Sequence, residues 1–311
     1  MALGRTVSDY FHSKKWEKFQ SRYLTFRFFT TIAWRFVRFV ILFGLCYVIL
    51  YPFFIKIVNA FKDISDFNDI TVRFIPKHFT LDNLISVVEN MDYLNSLKNT
   101  FLVAGGAALL QTAVSAIAGY GFAKFKFKLN KPLFFMVIFS LIVPPQTIII
   151  PLFLRFRFFL GFINLIDTPF PIFILSLTGL GIKNALYIFL FRQYFRNTPK
   201  ELEEAAYIDG CGTFYTFVKI MLPTATSLLM TVLLLSFSWQ WTDTLYSSLF
   251  LRDYHVLANM VSLAGQTASE AIVASSYIGI GGVLAILPVA LIYIFAQKYF
   301  IQSLSNSGLV G

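Results

Sequence analysis

The sequence is short of charge. Only 14% of its 311 residues are Asp, Glu, Lys or Arg, against 57% hydrophobic residues, too few to cover a soluble two-domain chain with a polar surface. Histidine is sparse: His12, His78 and His255 lie far apart, with no metal-ligand spacing among them. Cys46 and Cys211 are the two cysteines, which excludes a disulfide framework and predicts free thiols. No G-x-x-x-x-G-K-[ST] run is present, so the chain carries no P-loop of its own, and no G-x-S-x-G marks a nucleophile. An enzyme reading has no motif to stand on. Nor does a short apolar run precede a small-residue cleavage site, so the first apolar segment is expected to serve as an uncleaved anchor.

Acids are scarcer than bases, 16 against 26, for a formal net charge of +10. That excess raises nucleic-acid binding as a possibility. The basic residues, however, sit in short blocks beside apolar segments rather than along one polar helix face, which is the pattern of membrane topology. Six windows are long and apolar enough to cross a bilayer: about 36–57, 100–121, 132–152, 170–191, 223–241 and 277–301. An even count puts both termini on one side. Arg5, Lys14, Lys15, Lys18, Arg22, Arg27, Arg35 and Arg38 precede or open the first window, and "AKFKFKLNK" after the second holds four lysines and no acid. By the positive-inside rule these segments are cytoplasmic. The 58–96 connection, with Lys62, Arg73 and Lys77 against six acids, then lies outside. The expectation is an all-α membrane protein of six transmembrane helices with cytoplasmic termini. Residues 1–35 form a basic, aromatic cytoplasmic segment, and 36–311 form the transmembrane domain.

Residues 8–30 place Trp16, Phe19, Tyr23 and Phe26 on one helical arc and Lys14, Lys15, Lys18 and Arg22 on another. The pattern suits either a helix lying in the headgroup region or a disordered basic tail. Ala104, Ala108, Thr112 and Ala116 recur every four residues and lead to Gly119, a seam where another helix can approach closely. Pro144–Pro145 and Pro288 interrupt the third and sixth windows, which lipid permits only where protein or a cavity meets the freed carbonyls. Kinks of this kind serve a gated pathway or static packing.

The densest cluster of carboxylates is "PKELEEAAYIDGCG", residues 199–212, in the cytoplasmic connection between the fourth and fifth windows. Thr198, Pro199 and Glu201 have the spacing of a capping box with proline at the first helical position. Glu201, Glu203 and Glu204 suit the positive helix end, and Gly210 suits the left-handed residue that closes it. The predicted helix is about ten residues long, roughly 15 Å. Ala205 and Ala206 would give it a bare shoulder, and "TFYTFVKIMLP" would carry it through Pro223 straight into the fifth span. A capped acidic helix also serves merely to keep a loop soluble.

The spacing points further. "EAAYIDG", nine residues, then Ile220-Met221-Leu222-Pro223 resembles the E-A-A…G…I-x-L-P signature of permease subunits of ABC importers, and the likeness covers nearly all of 36–311. "HFTLDNLISVVEN" (78–90), "LYIFLFRQYF" (186–195) and "ILPVALIYIFAQKYFIQSL" (286–304) resemble the MalG-like, carbohydrate-uptake branch. Two departures touch substrate contact: the usual W-N-D reads Trp241-Thr242-Asp243, and the usual glycine after the last span is Ser303. The resemblance implies the type I (MalF/MalG-like) importer fold in a bacterial cytoplasmic membrane. It also implies a second, MalF-like permease chain, two ATPase subunits that bind ATP and Mg, and an external substrate-binding protein meeting 244–276. This chain would bind no cofactor and no nucleic acid. Carried over residue by residue, Glu201, Glu204, Ala205, Ala206, Asp209, Gly210, Ile220, Leu222 and Pro223 form the coupling element, with Glu204 meeting a base on the ATPase.

Lys183 and Asn184 fall in the middle of the fourth window, where a charge faces protein or water rather than lipid. They line a substrate pathway, or they pair internally or mark a helix break. Trp239, Trp241 and Asp243 in "SFSWQWTD" offer stacking faces and polar tips to a sugar, or form an interfacial aromatic belt. A secondary transporter would call for paired interrupted spans, which the sequence does not display. A structural membrane protein would not need a helix placed to transmit force.

Overall fold

The computed structural model describes residues 26–69 and 71–308 of the chain, with side chains from 30 to 297. The amphipathic pattern at 8–30 lies almost wholly outside them. Among the described residues the chain is helical throughout, with two isolated bridges (Lys62–Phe79 and Phe159–Ile163) in place of any strand. It divides into two compact units, Met1–Val58 and Asn59–Gly311. The described residues of the first belong to one helix, α1 (Phe26–Ala60), 35 residues long with Pro52 inside it. Its apolar side chains are exposed nearly all round, as lipid rather than water requires.

The second unit begins with α2 (Ile64–Phe67) and α3 (Asp82–Asn90). The loop between them closes on Asp66, which is buried and accepts the backbone N–H groups of Lys77 at 2.8 Å and His78 at 3.0 Å. The His78 N–H, burial notwithstanding, holds the Asp66 carboxyl below its usual range, with the His78 ring and the Lys77 N–H adding to it. Next comes α4 (Tyr93–Lys124), the element around which the unit is built. Its small-residue seam is buried along its length, at Ala104, Ala108, Thr112, Ala116 and Gly119. At Gly119 the crossing helix comes so near that a Cβ would lie 2.5 Å from Phe191 Cβ and 2.8 Å from the Arg192 nitrogen. The seam is packing, as the four-residue recurrence predicts.

Three helices are continuous and apolar over membrane length: Thr30–Ala60, Tyr93–Lys124 and Ala271–Gln297. The other three expected spans are not single rods. The third is α5 (Asn130–Phe139), a 3₁₀ turn at Pro145–Ile148 and α6 (Ile149–Arg157). Pro144 is extended there (ψ 128°) and the helix cannot run through it. The fourth is α7 (Phe170–Leu177) and α8 (Asn184–Asn197), parted by Gly179 at φ +77° and Lys183 at φ +59°. The third window is thus interrupted where Pro144–Pro145 predicts, and at Lys183 and Asn184, where a pathway, an internal pair or a helix break was open, the helix breaks. Next come α9 (Glu201–Ile208), α10 (Thr213–Thr216), a π-turn at Phe217–Met221, and α11 (Leu222–Thr224). The fifth span is α12 (Thr226–Trp241), bent by 80° from Thr213–Thr224. Two short helices, α13 (Leu245–Phe250) and α14 (Leu257–Met260), lead to α15 (Ala271–Gly308).

Pro288 leaves α15 unbroken because its neighbours meet the carbonyls it disturbs. Tyr93 donates its hydroxyl to the Leu284 oxygen at 3.0 Å, the position four residues before the proline, and Trp241 donates its indole N–H to the Ala285 oxygen at 2.9 Å. This is the packing solution to the kink.

Gly119→Val should force α4 and α8 apart at a cost of about 1–3 kcal/mol, read as a lower Tm in detergent, whereas Gly105→Val, with open space around it, should leave Tm unchanged. Because folding lowers the Asp66 pKa, its stabilisation is complete above the unfolded value and is lost as pH falls through the folded one. Limited proteolysis of the 61–80 loop should rise with acidification in the parent protein and be high and pH-independent in Asp66→Asn.

Candidate functional site

The acid-rich helix α9 is eight residues long and is entered without its predicted cap. Thr198 turns its hydroxyl back to the Tyr194 oxygen at 3.0 Å and closes α8 instead of opening α9. The exit is as expected. Gly210 sits at φ +80°, Cys211 N–H bonds the Ala206 oxygen at 2.9 Å, and Gly210 N–H bonds the Tyr207 oxygen at 3.1 Å. This is the paired 6→1 and 5→2 closure that needs a left-handed residue at its centre.

The three glutamates divide by face. Glu201 and Glu204 are exposed, as are Ala205 and Asp209, while Glu203 is buried. Glu203 Oε1 accepts the Tyr120 hydroxyl at 2.7 Å, and Oε2 pairs with Lys124 Nζ at 2.9 Å; Lys124 also reaches the Thr198 oxygen at 3.2 Å. One ion pair thus joins the ends of α4 and α8 to α9. Tyr120 is itself set in an aromatic nest, 4.8 Å from the Phe217 ring and 5.4 Å from that of Phe195. Sequence reading missed Glu203, Lys124 and Tyr120 as a unit, because the contact spans some 80 residues and Glu203 carries no local mark that separates it from its neighbours.

Ala206 lies on the same inward face as Glu203 and is buried, so the bare shoulder predicted for Ala205 and Ala206 reduces to Ala205 alone. The outward face is nonetheless apolar. Ile208 is 85% exposed and Phe214 77%, with Leu202, Tyr207 and Tyr215 also open, and Glu201, Glu204 and Asp209 beside them. A patch of this kind with a charged edge has the composition of protein-binding surfaces. Beyond it, Ile220 and Leu222 are half-buried and Pro223 exposed. The π-turn accommodates the amide that Pro223 lacks, Leu222 N–H reaching back to the Phe217 oxygen. At Ala225, which is fully buried, the chain turns by 80°. The expected straight run from α9 through Pro223 into the fifth span is corrected: the two are joined through an elbow.

The second group of predicted residues lies at the break between α7 and α8. Lys183 is the residue before α8 and holds its ammonium 5.1 Å from the Trp239 ring centroid. Asn184 is buried and donates to Ser115 Oγ at 2.9 Å; beside it Gln111 donates to Ser176 Oγ at 3.2 Å and accepts from Ser236 Oγ at 2.5 Å. Trp241 and Asp243 part from this group. Trp241 is buried and bonded to α15, and Asp243 Oδ2 caps α13 by accepting from Tyr246 N–H at 3.0 Å and Ser247 N–H at 2.9 Å. Both are occupied structurally. Among the described residues no three His, Cys, Asp or Glu side chains gather into a metal site.

The family model described as "Binding-protein-dependent transport system inner membrane component" matches residues 111–306, from the middle of α4 to the end of α15. The chain belongs to that family. Its members are multi-pass subunits of the cytoplasmic membrane, and α9, the elbow and the α7–α8 break all fall within the matched region. Among its relatives is the melibiose/raffinose/stachyose import permease protein MelC of Bacillus subtilis, 31% identical over 84% of this chain and 91% of that one. The arabinooligosaccharides transport system permease protein AraQ of Halalkalibacterium halodurans is 28% identical over 86% and 93%. In three dimensions the chain is similar to a bacterial ABC transporter involved in the import of the acidic polysaccharide alginate, with a TM-score of 0.70 over 87% of this chain and 98% of that one. At 22% identity the likeness establishes the importer fold.

Removing one partner of the buried pair should be worse than removing both. Lys124→Met alone should cost about 3–5 kcal/mol by leaving Glu203 charged and unpaired, and the double variant Lys124→Met/Glu203→Leu should recover most of it, measured as Tm of the purified protein.

Proposed function

We propose that this chain is the permease subunit of an ATP-driven carbohydrate importer, forming half of the translocation pathway and taking its motion from an ATPase subunit that docks on α9. The observation that carries this reading is the division of α9 into two faces. Glu203 and Ala206 tie it to its own bundle, while Ile208 and the Glu201, Glu204 and Asp209 carboxylates are presented outward, as is Phe214 on the adjoining α10. A loop kept only for solubility would not expose an isoleucine and a phenylalanine. The acids beside that patch favour a partner with basic residues at its rim, and a charge pair desolvated there is worth more than one on an open surface.

The carbohydrate assignment rests on relatives whose names specify oligosaccharides. In this reading the three continuous helices, the bent fifth span and the two broken ones make up six crossings with both ends in the cytoplasm, in keeping with the lysine-rich connection after α4. The chain itself is non-catalytic. ATP and Mg belong to two ATPase subunits, a second MalF-like permease supplies the other half of the pathway, and an external binding protein delivers the sugar against 244–276. Lys183, Asn184 and Trp239 face that pathway; Trp241 and Asp243, committed to α15 and α13, do not. ATP-driven closure of the ATPases draws the coupling helices together and rocks the spans between inward- and outward-facing states.

Gly210→Pro forces φ from +80° to about −65° and so dismantles the end of α9, and Glu204→Lys reverses a charge on its outer face. Both variants should insert in the membrane normally, lose co-purification with the ATPase, and abolish ATP-driven sugar uptake in vesicles. Uptake at the parent rate in either one would sink the proposal.

A further inference from the structure

Three helices meet at one charged group. The Lys124 ammonium, at the end of α4, holds Glu203 of α9 at 2.9 Å and the Thr198 oxygen that closes α8 at 3.2 Å, with 11% and 10% of the Lys124 and Glu203 side chains exposed. The other Glu203 oxygen accepts the Tyr120 hydroxyl at 2.7 Å. With both oxygens held, the carboxylate is fixed in rotation as well as in position. Tyr120 in turn packs on Phe195 of α8 and on Phe217 of the π-turn that leads toward α12.

Stability does not account for this group. An apolar pair of similar volume is generally as stable as a buried ion pair or more so, because desolvating two charges offsets their attraction. What an apolar contact lacks is direction. It lets two surfaces slide, whereas a desolvated ion pair cannot part without leaving two unmet charges.

Direction matters at α9. Among helices it packs chiefly on α10, the next in the chain, beyond which the chain runs through the 80° bend into α12. Its link to α4 and α8 is made by side chains, Glu203 and Ala206 being its buried residues. Those two helices are already in backbone contact, since a Cβ added at Gly119 would lie 2.8 Å from the Arg192 nitrogen. A displacement that Glu203 passes to Lys124 therefore reaches both of them.

We propose that Glu203, Lys124 and Tyr120 form a positioning group that carries motion of α9 into α4 and α8, so that these helices travel with the docking face while the elbow turns α12. This rests on the permease reading above and deepens it, assigning the transmission to inward side chains that no ATPase touches.

The test uses the assembled complex, with its ATPase subunits and binding protein, in phospholipid nanodiscs. Cys46 and Cys211 are replaced by serine, and Ser140→Cys puts one thiol in the cleft at the α7–α8 break. ATP hydrolysis is measured beside the rate at which a charged maleimide labels that thiol, with and without vanadate trapping of the nucleotide. In the parent, trapping should change the labelling rate several-fold. Lys124→Met/Glu203→Leu, whose Tm stays near the parent's, should keep its ATPase subunits and hydrolyse ATP but label at the same rate in both states. Lys124→Arg, which keeps a cation opposite Glu203, should respond as the parent does. A double variant that responds like the parent overturns the proposal, because the pair is then structural. So does one that sheds its ATPase subunits or stops hydrolysing, because the pair then serves docking. A parent whose labelling ignores trapping while it hydrolyses ATP overturns the permease reading and this proposal with it, so the two failures are told apart.

Discussion

Inside lipid no water meets a backbone carbonyl or a charge, so every departure from a straight helix has to find its partner within the protein. The arrangement of this chain follows from that constraint. Pro288 stays within a continuous helix because Tyr93 and Trp241 supply the missing donors. Gln111, Ser115, Ser176 and Ser236 surround the break in the fourth span with hydrogen-bonding groups. Glu203 and Lys124 are tolerable where they lie only because each answers the other and both have further bonds, to Tyr120 and Thr198. Irregularity is concentrated where α4 can serve it.

That dependence makes α4 more than a span. Its small residues let α8 approach to backbone contact at Gly119, and within the next five residues Tyr120 and Lys124 reach Glu203 of α9. Close packing and the ion pair are consecutive parts of one surface. A looser crossing would move Lys124 away from both Glu203 and the Thr198 carbonyl, and α9 would lose its only charged anchor among the described residues.

Features that depend on local chemistry were legible in the sequence. Gly210 had to be left-handed to close a short helix, and the four-residue recurrence of Ala and Thr had to be a contact seam. The family pattern was readable from "EAAYIDG" and "IMLP" together. What escaped reading depends on rotation and on distant partners. Glu203 and Glu204 are one residue apart, about 100° around a helix, and that angle alone sends the first to Lys124 and the second to solvent. Trp239 and Trp241 differ in the same way: two residues turn one ring toward Lys183 and the other onto α15. Pro144–Pro145 announced the break in the third window, but the one in the fourth stayed a single option among three because hydropathy averages over a window and does not register a turn inside it, although the glycines at 179 and 181 were the available signs. Thr198 had the spacing of a capping box, but its hydroxyl went to the nearer carbonyl of the preceding helix, the competition that short hydroxyl side chains always offer.

The turn at Ala225 changes what a push on the proposed docking stretch can do. Were Thr213–Thr224 collinear with α12, a displacement would be delivered as thrust along the helix axis, which a bilayer resists poorly and a helix transmits without gain. Set at 80°, those twelve residues form a crank about 18 Å long whose pivot is a side chain no larger than a methyl group. A shift of roughly 5 Å at its far end then corresponds to about 16° of rotation at the pivot, taking the arm as rigid. The protein thus has the geometry to turn a sideways pull at the membrane surface into torque on a transmembrane helix, and a residue bulkier than alanine at the pivot would stiffen the joint.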